Sequence, residues 1–452
     1  MASLRSGSGA RAIVVGAGLA GLAAAWRLRS AGCQVTLLER RGRPGGRLRG
    51  ERVEGFDVDG SLQVLRSNDR HLPGWIREVG LADELLPLRP VTPAMLHRGS
   101  VRTTDSSSVL RIARTTGVRL REAARLARLP RLMRRYRATL DRDAPERAAR
   151  WDFRSVADFA RLYFGDSVLD CFAGPIATSA SCGDANELSR VAFLLEWLVE
   201  EHGRFGVARR GLAELPLQAG EALGVRLRTG VAEIAEARAG GHIVRCEDGS
   251  RLEADLVVVA TSAGEARRLA ASQLSGAERD FFASIRVGAD AVLVAALDRP
   301  PTGTPHFVRV PAAEGEIVET ILVEPGVADG RAPLGYGLAT LTGNQAFCES
   351  SRSASDEVVG KELASALERL YPTVVGTIRF SALYRRKAAI PRFEVGAYRA
   401  LERFRRVHDD RRSLGRRLYF AGDYLAGLSA DQVVGSGFRA ARDALADLDP
   451  TG

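Results

Sequence analysis

Apolar positions fall into short runs near the start of the chain, and their spacing switches from strand-like to helix-like and back. Residues 11–15 predict a strand, 19–29 an alanine-rich helix and 34–39 a second strand, a β-turn-α-β unit of the kind that opens a doubly wound sheet. Helix formers dominate from about residue 109 to 200, interrupted chiefly by Pro130 and Pro145, which predicts an inserted helical region. Glycine-bounded strands return around Val231, Ile234, Ile243 and residues 256–259. Further strands are expected at 291–297, 307–310, 317–323, 336–341 and 378–384, with a helix over 355–370, and together they predict a second sheet. A strand at 417–421, a glycine-rich connection and a helix starting near Val433 complete the pattern.

At 452 residues the chain exceeds one ordinary core, so two domains are expected, one interrupting the other. Apolar runs such as 256–260 are too short to cross a bilayer, and residues 1–10 read as a loose polar tail, so a cytoplasmic protein is expected. Cys33, Cys171, Cys182, Cys246 and Cys348 are scattered and form no CxxC, which argues against a disulfide framework. The histidines, His202 among them, show no ligand-like pairing, so no metal site is expected. Chemistry must come from something bound.

Gly16, Gly18 and Gly21 form a GxGxxG where the first strand turns into the first helix. Gly16 permits the turn, Gly18 lets backbone approach a pyrophosphate and Gly21 lets the helix lie on the strand. The amides of Leu19 and Ala20 then aim at phosphate. Glu39 ends the second strand, where a carboxylate accepts hydrogen bonds from both ribose hydroxyls of an adenosine. An acid there disfavours a 2′-phosphate, although Arg40 and Arg41 sit beside it. Adenine dinucleotide binding follows.

The segment from Glu39 through Arg40, Gly45 and Gly46 to Arg47 resembles the ERxxRxGGR motif of the flavin amine oxidase, protoporphyrinogen oxidase and carotenoid desaturase superfamily. The resemblance continues through Gly60 and Ser61, Val231, Gly422 and Asp423, and Val433 and Val434 in the segment before Gly435, Ser436 and Gly437. It implies an α/β fold: a Rossmann-like, two-dinucleotide-binding FAD domain with an inserted substrate domain of mixed sheet plus helices. The implied division is 1–85, 205–285 and 405–452 for the FAD domain, 86–204 for a helical part and 286–404 for the sheet part. Gly45, Gly46 and Arg47 would lie near the FAD pyrophosphate, Gly60 and Ser61 near the flavin, Val231 at the adenine and Asp423 at the ribityl chain. No cysteine lies where some relatives attach flavin, so noncovalent FAD is implied.

Within the superfamily the chain leans toward the protoporphyrinogen oxidase and desaturase branch, through 175–189 and 388–396. Amine oxidases place a lysine on the strand matching 289–297, which here has none. The expected activity is hydride removal from a bulky, lipophilic or conjugated molecule. An amine, amino-acid or specialised-metabolite oxidase is the alternative, and a lipid carrier on the same fold is the third. Candidate substrate-pocket residues are Arg386, Lys387, Arg392 and Tyr398, the cations being suited to substrate carboxylates.

Most of the formal net charge of +10 lies in residues 111–150, which hold thirteen arginines against four acids. There Leu126, Leu129, Met133, Tyr136 and Leu140 form a helical stripe flanked by arginines. This segment reads in two ways, as peripheral contact with the anionic inner face of a membrane or as a solvated basic face over core leucines. No nucleic-acid module accompanies the charge, so the expected partner is a small-molecule substrate.

Overall fold

Four apolar strands, each nearly stripped of polar side chains, pair in parallel in the order Leu418–Phe420, Leu256–Val259, Arg11–Val15, Gln34–Leu38. Continuous apolar runs of this kind suit a sheet covered on both faces. The computed structural model describes residues 9–61, 64–201, 203–237, 241–301 and 306–448. The expected tail up to residue 8 and His202 lie outside them.

Helix Leu19–Ser30 covers one face of this sheet, with Ala23, Ala24 and Ala25 fully buried. Small side chains bring its axis close to the strands, and glycine brings it closer still. A Cβ on Gly21 would sit 1.8 Å from the Gly16 carbonyl oxygen, and a Cβ on Gly437 would sit 2.2 Å from that of Ala20. Gly437 belongs to the helix Ala430–Leu448, which crosses helix Leu19–Ser30 at this point. That helix starts ahead of the expected Val433, because the Ser429 hydroxyl accepts the Gln432 amide. Gly435 and Gly437 are therefore packing glycines inside the helix, Gly435 against His71, and they do not open it. A separate three-stranded antiparallel sheet is formed by Val231–Glu236, His242–Cys246 and Arg251–Ala254.

The second large sheet has seven strands in the order Ile378–Arg392, Arg286–Leu297, Gly337–Gly343, Val318–Pro325, His306–Arg309, Thr92–His97, Ser100–Thr103. All neighbours are antiparallel except His306–Arg309 with Thr92–His97. Two of its strands come from 92–103, inside the stretch expected to be helical, where Pro93 and the short runs hide a strand at the sheet margin. Strand Ile378–Arg392 runs well past its expected end at 384, because Arg385 and Arg386 interrupt the apolar alternation yet are held by ion pairs to Asp356 and Asp290, and its partner Arg286–Leu297 starts ahead of the expected 291. Helix Asp356–Leu370 covers one face and the other faces a cavity.

The helical region packs into its own core. Leu126, Leu129, Met133, Tyr136 and Leu140 are all buried in it, while Arg125, Arg128, Arg131, Arg134, Arg135 and Arg137 are exposed. The apolar stripe faces protein, so it is not the surface by which the segment would insert into lipid. No helix among the described residues is long and apolar enough to cross a membrane.

Because Gly437 meets backbone, Gly437→Val is expected to destabilise the protein by about 3 kcal/mol, at the upper end of overpacking costs. Chemical denaturation compared with Gly264→Ala, whose Cβ meets no atom within 4 Å, checks this.

Candidate functional site

The turn after the first strand is fixed by its neighbours. Gly16 has φ of 100°, and the Glu39 carboxylate accepts the Ala17 amide at 2.9 Å and the Arg41 amide at 2.9 Å. Helix Leu19–Ser30 starts with no side-chain cap and no acid in its first turn, which leaves its amide end available to an anion. Gly18 differs from the other two glycines of the motif, because a Cβ there would meet no protein atom within 4 Å. Gly45 and Gly46, with φ of 112° and 61°, fold the following loop back until Gly46 faces the Gly18 backbone. Protein sterics explain the second loop but not Gly18, whose bare face opens on a cavity of about 1090 Å³.

That cavity runs past Glu39, Arg40 and Val231 at one end and reaches Ser61, Gly422, Asp423 and Val433 at its middle. Arg40 is neutralised there by Glu265 at 2.9 Å and Glu247 at 3.6 Å, which removes it as a receptor for an extra phosphate. Arg47 ion-pairs with Asp423, and the Gly422 amide donates to the Ser436 hydroxyl at 3.0 Å. Arg386 bonds Asp290 on the neighbouring strand and donates to the backbone oxygens of Arg47 and Gly60. This partly buried guanidinium ties the seven-stranded sheet to both loops. Burial lowers its pKa and Asp290 opposes that shift. Beside it the ring of Tyr384 covers Gly60, where a Cβ would approach to 2.6 Å.

Beyond this point a row of paired residues, Tyr384, Val292, Thr342 and Thr320, floors the cavity across four strands. The far wall is charged. Arg66 pairs with Glu196 at 2.6 Å and lies over the Phe205 ring at 3.9 Å, and Arg142 pairs with Asp69 at 3.4 Å. Burial pushes the Glu196 carboxyl up, but Arg66, Arg142 and Arg309 outweigh it and hold the group below its ordinary value.

The family described as Flavin containing amine oxidoreductase matches residues 19–445. The chain belongs to that family. Coproporphyrinogen III oxidase of Mycobacterium tuberculosis (strain ATCC 25618 / H37Rv) is 25% identical over 96% of this chain and 97% of its own length. Hydroxyneurosporene desaturase of Cereibacter sphaeroides is 34% identical over 55% of each chain. Protoporphyrinogen oxidase 2 of Arabidopsis thaliana is 26% identical over 43% of this chain, which spans only 37% of that enzyme. In three dimensions the putative protoporphyrinogen oxidase from Exiguobacterium sp. 255-15 superposes with a TM-score of 0.76 at 18% identity, covering 98% of this chain and 99% of that one. The fold is shared and the chain is a flavin-dependent oxidoreductase.

For this flavin oxidoreductase the cavity brings together Gly16, Gly18, Leu19, Ala20, Glu39, Arg40, Gly45, Gly46, Arg47, Ser61, Val231, Gly422, Asp423 and Val433. The open face at Gly18, the uncapped helix and the paired carboxylate at Glu39 fit a flavin nucleotide. Gly21 and Gly60 stand behind the lining and set its shape by close packing. Val434 is buried in the core beside the first helix and does not reach the cavity. Of the expected substrate residues Arg386 and Lys387 line the cavity, but the guanidinium of Arg386 is occupied by Asp290 and two carbonyls. Arg392 lies past the cavity and pairs with Glu349 at 2.6 Å. Tyr398 stacks on Phe393 at 5.2 Å inside the helical core, so it is a packing residue. Arg66, Arg142, Glu196, Ser179, Cys182 and Glu319 were not singled out from sequence, yet all line the cavity. The signal for Glu196 is an acid within the apolar run of helix Arg190–Glu200, followed a turn later by Glu200.

Gly18→Ala is expected to keep folded stability within about 0.5 kcal/mol, since φ of −75° and the open space tolerate a Cβ. Flavin affinity is expected to fall roughly tenfold or more, about 1.4 kcal/mol. Titration of apoprotein followed by flavin fluorescence measures it.

Proposed function

We propose that the chain binds FAD noncovalently and removes hydride from a bulky, conjugated or lipophilic substrate of the porphyrinogen or polyene kind. The observation that carries this reading is the single cavity that joins the glycine cradle to a chamber beyond Tyr384, walled by Val292, Phe307 and Leu383 on one side and Arg66 and Arg142 on the other. A cavity of about 1090 Å³ with both regions in its lining has room for a bulky substrate beside a cofactor. The full-length similarity to coproporphyrinogen III oxidase and the partial similarity to a desaturase support it.

FAD when bound supplies the hydride acceptor. The chain's residues bind, orient and shield. Glu39 is placed to receive ribose hydroxyls, and the Gly18 backbone and the first-turn amides receive pyrophosphate. Asp290 and Arg386 hold the Arg47 and Gly60 backbones against the sheet, so the cofactor floor and substrate floor keep one geometry. Val292 and Tyr384 would keep water from the reacting carbon. Arg66 lines the far wall with its guanidinium held by Glu196 and Glu200, so it fixes the shape of that wall. Strand Arg286–Leu297 carries no lysine, which sets the site apart from the pattern expected of amine oxidation.

The test is the visible spectrum of purified protein, then anaerobic addition of protoporphyrinogen, coproporphyrinogen III, hydroxyneurosporene, putrescine and L-amino acids in turn. One of the first three is expected to bleach the flavin band. Bleaching by the amines alone would overturn the substrate class, and folded protein that takes up no FAD would overturn the cofactor.

A further inference from the structure

Strand Val318–Pro325 is buried along nearly its whole length, and one of its residues is out of place. Val318, Ile321 and Val323 face the apolar cluster beneath helix Asp356–Leu370, whereas Thr320 faces the cavity. Strict alternation would send Glu319 into the apolar cluster. The pairing prevents this: Val318 sits opposite Gly343 and Thr320 opposite Thr342, so one extra residue bulges at 319. The bulge turns Glu319 to the cavity side beside Thr320.

The carboxyl that arrives there is 7% exposed. Among the described residues, the one interaction favouring its charged form is a hydrogen bond from the Thr178 hydroxyl. Burial pushes its pKa up to about 7. The neighbouring titratable groups are the thiols of Cys182 and Cys348, both raised by burial, and Asp290, whose charge Arg386 balances. Arg309 pairs across the sheet with Thr320, but its guanidinium is tied to Glu200 and Ser179. Cys182 feels the fields of Glu319, Asp290 and Arg47, and all four residues line the same cavity. A bulge that delivers an uncompensated acid to a cavity has a cost that packing alone does not explain.

We propose that Glu319 is a catalytic residue, the proton acceptor for substrate oxidation in this cavity. The step rests on the flavin reading above. A C–H bond of the substrate breaks with its electron pair leaving as hydride to the oxidised flavin, which is reduced by two electrons. The adjacent N–H, O–H or C–H bond gives its proton to the Glu319 carboxylate, and the electron pair left behind forms the new double bond. Thr178 holds the carboxylate oriented until it is protonated. Because the acceptor must start ionised, the step speeds up as pH rises through about 7.

Two measurements test this. Infrared difference spectra of the protein between pH 6 and 8 are expected to show, besides the tail of Asp59 with its pKa pushed up to about 6 by burial, a carboxylic acid losing its proton near pH 7, a signal absent from Glu319→Gln and retained in Glu319→Asp. A wild type without that signal overturns the assignment, and this arm needs neither substrate nor turnover. In stopped flow with coproporphyrinogen III as reductant, wild type is expected to show a flavin reduction rate that rises with pH to a plateau. Glu319→Gln is expected to be slower by roughly 10² with a flat profile, and Glu319→Asp to restore the rise. A Glu319→Gln variant with wild-type rate and pH profile also overturns it. If wild type is not reduced by any candidate reductant, the substrate proposal fails instead, while the infrared arm still judges Glu319.

Discussion

The seven-stranded sheet and the glycine-rich loops beside the four-stranded parallel sheet meet at the guanidinium of Arg386. It holds Asp290 on the adjacent strand and reaches across to the backbone oxygens of Arg47 and Gly60. Each contact satisfies a group that burial would otherwise leave exposed to a low dielectric. The loops that shape the cofactor end are thus referenced to the strand that floors the substrate end. Arginine suits this position because its planar fork serves a carboxylate and carbonyls in different directions at once.

The cofactor half was largely legible in the sequence because its constraints are local. Gly16 adopts a positive φ at the turn, Gly21 closes on the Gly16 carbonyl five residues before it, and Glu39 follows at the end of the next strand. The substrate half was poorly legible. Arg66 comes from a two-residue strand, Glu196 from a helix and Glu319 from a bulge, and no sequence period links them. Arg392 and Tyr398 are near Arg386 in sequence, but the cavity ends at Ile390 on that strand and Tyr398 turns into the helical core. The arginine-flanked stripe at 126–140 was correctly amphipathic, yet amphipathicity alone does not say whether the apolar side meets protein or lipid.

The cavity carries its charge unevenly. Toward the far wall each cation has an acid beside it, Arg66 with Glu196 and Arg142 with Asp69. Such pairs fix side-chain positions more than they stabilise the fold. The floor row Tyr384, Val292, Thr342 and Thr320 is uncharged and Glu319 stands beside it, so a substrate lying along that row would pass from an uncharged surface to a buried carboxyl. Polarity is thereby concentrated where a proton has to move.

The crossing of helix Leu19–Ser30 by helix Ala430–Leu448 at Gly437 bears on how the molecule is assembled during synthesis. The parallel sheet joins strands Arg11–Val15 and Leu418–Phe420 to either side of the order set by Leu256–Val259. The glycine cradle is therefore translated early but lacks its covering helix until nearly all of these residues have left the ribosome. Long-range closure of this kind folds slowly, and the half-built sheet must be kept from pairing with other chains in the interval.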